Sequence, residues 1–128
     1  MTKILVVDDE TDIRFVIGKM LEREGYGTIE ADSGEQALEV LKDEEPDLIL
    51  LDVMMPGLDG YETCMQIKSQ EATKNIPIVM LTAKTAESDK IKALEECGAQ
   101  WHISKPIDRK KFIETVKWLL ASPPRREE

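Results

Sequence analysis

The chain has 128 residues, enough for one domain that buries about two-thirds of its unfolded surface. Its composition, 41% hydrophobic and 34% charged, is that of a soluble globular protein with a charged exterior. The formal charge of −9, from 17 basic and 26 acidic residues, argues against a nucleic-acid surface, and no apolar run nears the ~20 residues that span a bilayer.

The opening run Ile4–Val7 is short and aliphatic, reads as a strand, and ends on Asp8, Asp9 and Glu10. It is too short for a signal peptide, so the expectation is a cytoplasmic protein that engages no membrane. Ile13, Val16, Ile17, Met20 and Leu21 then recur at helical spacing, and Gly25 is a plausible stop. Thr28–Ala31 is a brief second strand. Ser33 with Gln36 matches a capping box opening a helix that carries Ala37, Leu38, Val40 and Leu41, and Pro46 ends it.

Asp47–Leu51 is apolar after its first residue and reads as a strand buried on both faces, delivering Asp52 to its end. An aspartate there also suits a turn cap. After the turn Pro56-Gly57-Leu58, Asp59 can cap a third helix with Tyr61, Cys64, Met65 and Ile67 inward or nearly so. Pro77–Leu81 is a fourth strand ending on Thr82. A fourth helix is expected from about Ala86 to Cys97, stopping at Gly98. Trp101–Ser104 makes the fifth strand, ending on Lys105-Pro106. Asp108 opens a last helix whose apolar face is Phe112, Ile113, Val116, Leu119 and Leu120. The ending from Pro123 to Glu128 has no periodicity and reads as a disordered tail or a linker.

Strand and helix alternate five times, which predicts an α/β fold: one parallel five-stranded sheet with helices on both faces and right-handed crossovers. All strand C-termini then share one edge, where such folds bind ligands. Asp8, Asp9, Asp52, Thr82 and Lys105 converge there. Each has a plain alternative (helix capping for the acids, a backbone partner for the threonine, solvent for the lysine), but four of the five strand ends carry the set. Three carboxylates with no His or Cys beside them favour Mg²⁺. Cation, lysine and hydroxyl together suit a phosphoryl group. Cys64 and Cys97 read as buried free thiols, and one histidine makes a zinc site improbable.

At this point the chain, from about Thr2 to Leu120, resembles the receiver domain of two-component response regulators. The residues that carry the resemblance are Val6-Val7-Asp8-Asp9-Glu10, Leu51-Asp52-Val53-Met54-Met55-Pro56-Gly57-Leu58-Asp59-Gly60, Ile78-Val79-Met80-Leu81-Thr82-Ala83 and Lys105-Pro106. The resemblance implies a flavodoxin-like doubly wound sheet of order 2-1-3-4-5, a receiver domain over residues 2–120, and residues 121–128 as tail or linker. It implies that Asp52 is the phosphoacceptor, taking a phosphoryl group from a phosphohistidine of a sensor histidine kinase or phosphotransfer protein. Asp9, Asp52 and the backbone carbonyl of Met54 would hold Mg²⁺, with Asp8 helping through water. Lys105 and the Thr82 hydroxyl would pair with phosphoryl oxygens, Ala83 would leave room for them, and the Lys105–Pro106 bond is expected to be cis.

The implied switch couples Thr82 to an aromatic residue three positions before the lysine, remodelling the face made by the fourth helix, fifth strand and last helix towards a partner or output domain. Here that position is His102, a departure from the family's usual tyrosine or phenylalanine. Met54 and Lys84 flank the path of the hydrolytic water, and slow autodephosphorylation is the expectation. A Mg²⁺-dependent aspartyl-phosphate phosphatase of the haloacid dehalogenase kind is the alternative, but its Asp-x-Asp spacing after the first strand is missing. A nucleotide- or flavin-binding module lacks its glycine-rich loop.

Overall fold

The computed structural model describes residues 1–82 and 96–121. Its strands are β1 (Lys3–Val7), β2 (Gly27–Ala31), β3 (Leu48–Asp52), β4 (Ile78–Thr82) and β5 (Trp101–Ser104). The described helices are α1 (Thr11–Arg23), α2 (Gly34–Asp43), α3 (Gly60–Lys68) and α4 (Arg109–Ala121), the last being the predicted final helix. The predicted helix Ala86–Cys97 lies outside the described residues except for its closing turn, as do Ala83, Lys84 and residues 122–128. No helix among the described residues is long and apolar enough to cross a membrane.

All strands pair in parallel, in the expected order β2-β1-β3-β4-β5. The side chains of each strand alternate between two cores, as the period of two requires. Leu5, Val7, Ile49, Leu51, Ile78 and Met80 pack with Ala37 of α2 and with Cys64 and Ile67 of α3. Ile4, Val6, Leu48, Leu50, Val79 and Leu81 pack with Ile17, Met20 and Leu21 of α1 and with Phe112, Ile113, Val116 and Leu119 of α4. Burial on both faces is why β1, β3 and β4 are almost purely aliphatic.

The helix ends follow the sequence signals closely. Gly25 takes φ +91° after α1; its N–H donates to Glu22 O at 3.0 Å and that of Tyr26 to Leu21 O at 3.1 Å, a Schellman stop. Ser33 Oγ accepts from Gln36 N at 3.0 Å, but the Gln36 side chain accepts from Asp32 N at 2.6 Å rather than from Ser33 N, so that capping box is one residue displaced. The reciprocal box forms instead at α3, between Asp59 and Glu62. Two apolar residues depart from expectation. Val16 lies about 100° round α1 from Ile17 and is 52% exposed, and Met65 faces away from the Cys64–Ile67 stripe and is 50% exposed. Cys64 and Cys97 are buried thiols outside any disulfide, and Cys64 Sγ donates to Cys97 O at 3.3 Å.

Candidate functional site

β1 and β3 are neighbours, while the chain leaves β1 for β2 on the other side, so the sheet's switch point lies between them. Asp8 follows the last residue of β1, and Asp52 is the last of β3. Asp52 is 5% exposed. Beyond it the chain stays close to the sheet: Val53 N donates to Leu81 O at 3.1 Å and Gly60 N to Val53 O at 3.0 Å. A Cβ on Gly60 would lie 2.7 Å from Val53 Cα and closer still to the Asp52 carbonyl oxygen. Only glycine lets α3 begin this tightly under the end of β3.

Asp8 is fully buried and satisfied on every side. Its N–H donates to Ala31 O at 3.2 Å, its Oδ1 accepts from Glu10 N at 2.9 Å, and its Oδ2 accepts from Lys105 Nζ at 3.2 Å. Lys105 Nζ also donates to Asp52 Oδ1 at 3.2 Å, so one ammonium bridges both buried acids. Asp52 Oδ1 accepts a long contact from Met54 N, 3.4 Å, whereas Oδ2 is engaged by none of the described residues. Asp9 is exposed and its carboxylate has no partner among the described residues. One oxygen from each of Asp8, Asp9 and Asp52 lies within 4.8 Å of the others.

Burial, and then the charge of Asp8, pushes the Asp52 carboxyl up to about 6 against the pull of Lys105. Burial acts downward on the Lys105 ammonium, but the attraction of Asp52 and Asp8 outweighs it and the net direction is up. Three carboxylates facing one lysine leave an excess of negative charge. The donors are all hard oxygens, the set that suits Mg²⁺ or Ca²⁺ rather than a softer metal. At the end of β4, Thr82 is 4% exposed, and its Oγ1 is the buried side-chain oxygen without a hydrogen-bond partner among the described residues. Lys105 N donates to Thr82 O at 2.7 Å, tying the two strand ends together, and the Lys105–Pro106 peptide is cis as expected.

His102 stands apart from this cluster. In β5 it pairs with Met80 in register, two positions before the Thr82–Ser104 pair, and is half-buried. Its neighbour Trp101 stacks on the His102 ring with centroids 6.5 Å apart and packs edge-on against Trp118 of α4 at 5.4 Å. Met54 is 69% exposed beside the site. Two contributors were not legible beforehand. Gly60 reads in sequence as an ordinary turn residue, and Arg14 reads as a charge on a helix surface. In the structure Arg14 Nη1 donates to the Asp8 carbonyl oxygen at 2.6 Å.

Comparison with known proteins agrees with this geometry. Residues 4–117 match the family model for the response regulator receiver domain. The phosphate regulon transcriptional regulatory protein PhoB of Pseudomonas aeruginosa is 46% identical over 117 residues, covering 91% of this chain and 51% of that protein. The alkaline phosphatase synthesis transcriptional regulatory protein PhoP of Bacillus subtilis is 48% identical over 118 residues, covering 92% of this chain and 48% of that protein. The chain thus spans about half the length of these curated relatives. Among solved structures, the receiver domain of a Pseudomonas aeruginosa sensor histidine kinase, with a magnesium ion coordinated in its active-site cleft, superposes with a TM-score of 0.86 at 30% identity, covering 94% of this chain and 98% of that one. None of these relatives supports the phosphatase alternative. The chain belongs to the response regulator receiver domain family, the phosphorylation-controlled signalling modules of two-component systems.

Proposed function

We propose that Asp52 is the phosphoacceptor of this module, and that residues 2–120 constitute it. The observation that carries the reading is an open Asp52 Oδ2 beside a lysine that already bridges Asp52 Oδ1 to Asp8. An oxygen of Asp52 attacks the phosphorus of a phosphohistidine on a sensor histidine kinase or phosphotransfer protein. The new O–P bond forms as the P–N bond breaks, and the imidazole leaves carrying the electron pair and then a proton. Lys105 keeps its ammonium beside the negative charge throughout, and the partnerless Thr82 hydroxyl can donate to a phosphoryl oxygen.

Asp8, Asp9, Asp52 and the backbone carbonyl of Met54 would hold Mg²⁺, with Asp8 acting through water. When bound, that cation neutralises the carboxylates and the transferred group's oxygens, which eases the approach of like charges. The buried and satisfied setting of Asp8 suits an indirect role, and the exposed, partnerless Asp9 suits a direct one. The domain is not an enzyme towards other substrates. It promotes its own Mg²⁺-dependent phosphorylation and, with apolar Met54 unable to orient a water, a slow loss of the phosphoryl group. Movement of Thr82, with His102 as its partner, carries the change to the β5–α4 face and on to an output domain or protein target in the cytoplasm.

Incubation with phosphoramidate or acetyl phosphate and MgCl₂ tests this by intact mass. A single phosphoryl adduct is expected on the wild type, absent without Mg²⁺ and absent in Asp52→Asn. An adduct that survives in Asp52→Asn refutes the assignment.

A further inference from the structure

We infer that Arg14 is the positioning residue of the acid pair, clamping the peptide between Asp8 and Asp9 so that the Asp9 carboxylate is held at the cation site. The inference rests on the proposed role of that cluster in binding Mg²⁺. Arg14 lies in the first turn of α1, with 14% of its side chain accessible, and its three guanidinium nitrogens reach three different places. Nη1 donates to Asp8 O at 2.6 Å, Nε to Glu30 Oε1 of β2 at 3.0 Å, and Nη2 weakly to Thr11 Oγ1 at 3.4 Å.

The Asp8 carbonyl belongs to the peptide plane that joins Asp8 to Asp9. Because that plane is rigid, fixing its oxygen also fixes the nitrogen and Cα direction of Asp9. On the far side of Asp9, the next peptide is held by Glu10 N donating to Asp8 Oδ1 at 2.9 Å. Asp9 therefore sits between two anchored peptides, while its own side chain has no partner among the described residues. Among the described residues only the backbone aims that carboxylate, and Arg14 holds that backbone on one side.

A cation beside a cation site would ordinarily weaken it. Here Glu30 sits on the guanidinium and offsets its charge, and Lys105 rather than Arg14 neutralises the buried acids. What Arg14 supplies is the geometry of a fork, which a lysine cannot reproduce. Residues that orient a metal ligand from behind change metal affinity by about 10- to 100-fold when lost.

The test is Mg²⁺ titration calorimetry on wild type, Arg14→Lys, Arg14→Gln and Asp9→Asn, with thermal unfolding of each in EDTA. Arg14→Lys retains the charge and should bind Mg²⁺ about tenfold or more weakly. Arg14→Gln should show a loss at least as large. A purely structural arginine would lower the melting temperature in EDTA and leave the Mg²⁺ dissociation constant of the folded protein unchanged. Wild-type affinity in Arg14→Lys, with Asp9→Asn impaired, overturns the role of Arg14 and leaves the cation site standing. Wild-type affinity in Asp9→Asn overturns the cation site and, with it, this inference.

Discussion

Replacing Asp52 by asparagine should make the metal-free protein more stable at neutral pH, because the native fold holds that carboxylate at a cost. Its carboxyl is raised from 3.8 to about 6, chiefly by burial and then by Asp8. A group raised in this way binds more protons folded than unfolded between about pH 4 and pH 6, so stability falls as pH rises through that window. At about 1.4 kcal/mol for each tenfold change in proton affinity, the rise corresponds to about 3 kcal/mol fully lost by neutral pH. Asparagine has nearly the shape of the protonated acid and still offers an oxygen to Lys105. The advantage of Asp52→Asn should therefore be near zero at about pH 4 and grow to about 3 kcal/mol by pH 7, or roughly 10 °C in melting temperature. Urea unfolding of both proteins in EDTA, followed by circular dichroism from pH 4 to pH 8, measures the gap directly. Saturating Mg²⁺ should then stabilise the wild type and narrow it, by about 2.7 kcal/mol when free metal is a hundredfold above its dissociation constant. Superimposable stability curves in EDTA, or a gap that widens towards acid, would refute the electrostatic account of the site.

Three further outcomes follow from neighbouring atoms. Lys105→Ala leaves Asp8 and Asp52 facing each other, and since the lysine keeps some access to water the loss at pH 7.5 should be about 2–3 kcal/mol, shrinking near pH 4.5 as Asp52 takes up a proton; denaturant unfolding at the two pH values checks it. Gly60→Ala places a Cβ against Val53 Cα and the Asp52 carbonyl, and should cost about 1–3 kcal/mol in denaturant unfolding while slowing labelling by phosphoramidate. Thr82→Val removes a buried hydroxyl that has no partner among the described residues and should make the unphosphorylated protein about 1–3 kcal/mol more stable in denaturant unfolding, while blunting the change in Trp fluorescence on phosphorylation.

The fold was legible because β1, β3 and β4 are buried on both faces, so their sequences are aliphatic throughout and stop abruptly at the sheet edge. Strand ends carry the site, and the β-α alternation alone brings Asp8, Asp52, Thr82 and Lys105 to one edge. Register and distance were not legible in that way. That one ammonium would touch both Asp8 and Asp52 depends on where β5 sits relative to β1, with two strands between them in the sheet. Gly60 looked like turn chemistry, because its constraint is a collision with the carbonyl of a residue eight positions earlier. Arg14 looked like one more charge on an amphipathic helix, since only the pairing of β1 with β2 brings Glu30 within its reach. Periodicity placed Val16 and Met65 inward because it marks the centre of an apolar stripe better than its width. How far round a helix is covered depends on how deeply it seats on the sheet.

The pattern of satisfied and unsatisfied groups gives the site its direction. Asp8 is fully bonded, Lys105 is shared, and the tension is left on Asp52 and on the Thr82 hydroxyl. A buried hydroxyl without a partner forgoes about 1–3 kcal/mol, and a carboxylate held near 6 is a charge that the fold resists. A phosphoryl group on the open Asp52 oxygen would answer both. It would move the negative charge outward, onto oxygens that Lys105 could follow and to which Thr82 could donate. Because Lys105 N is bonded to Thr82 O, anything that draws the Thr82 hydroxyl acts on the ends of β4 and β5 together. If Asp52 is the phosphoacceptor, as proposed, chemistry at β3 would thereby be coupled to the edge strand that carries Trp101 and His102, which is the mechanical requirement for a phosphorylation signal to leave the site.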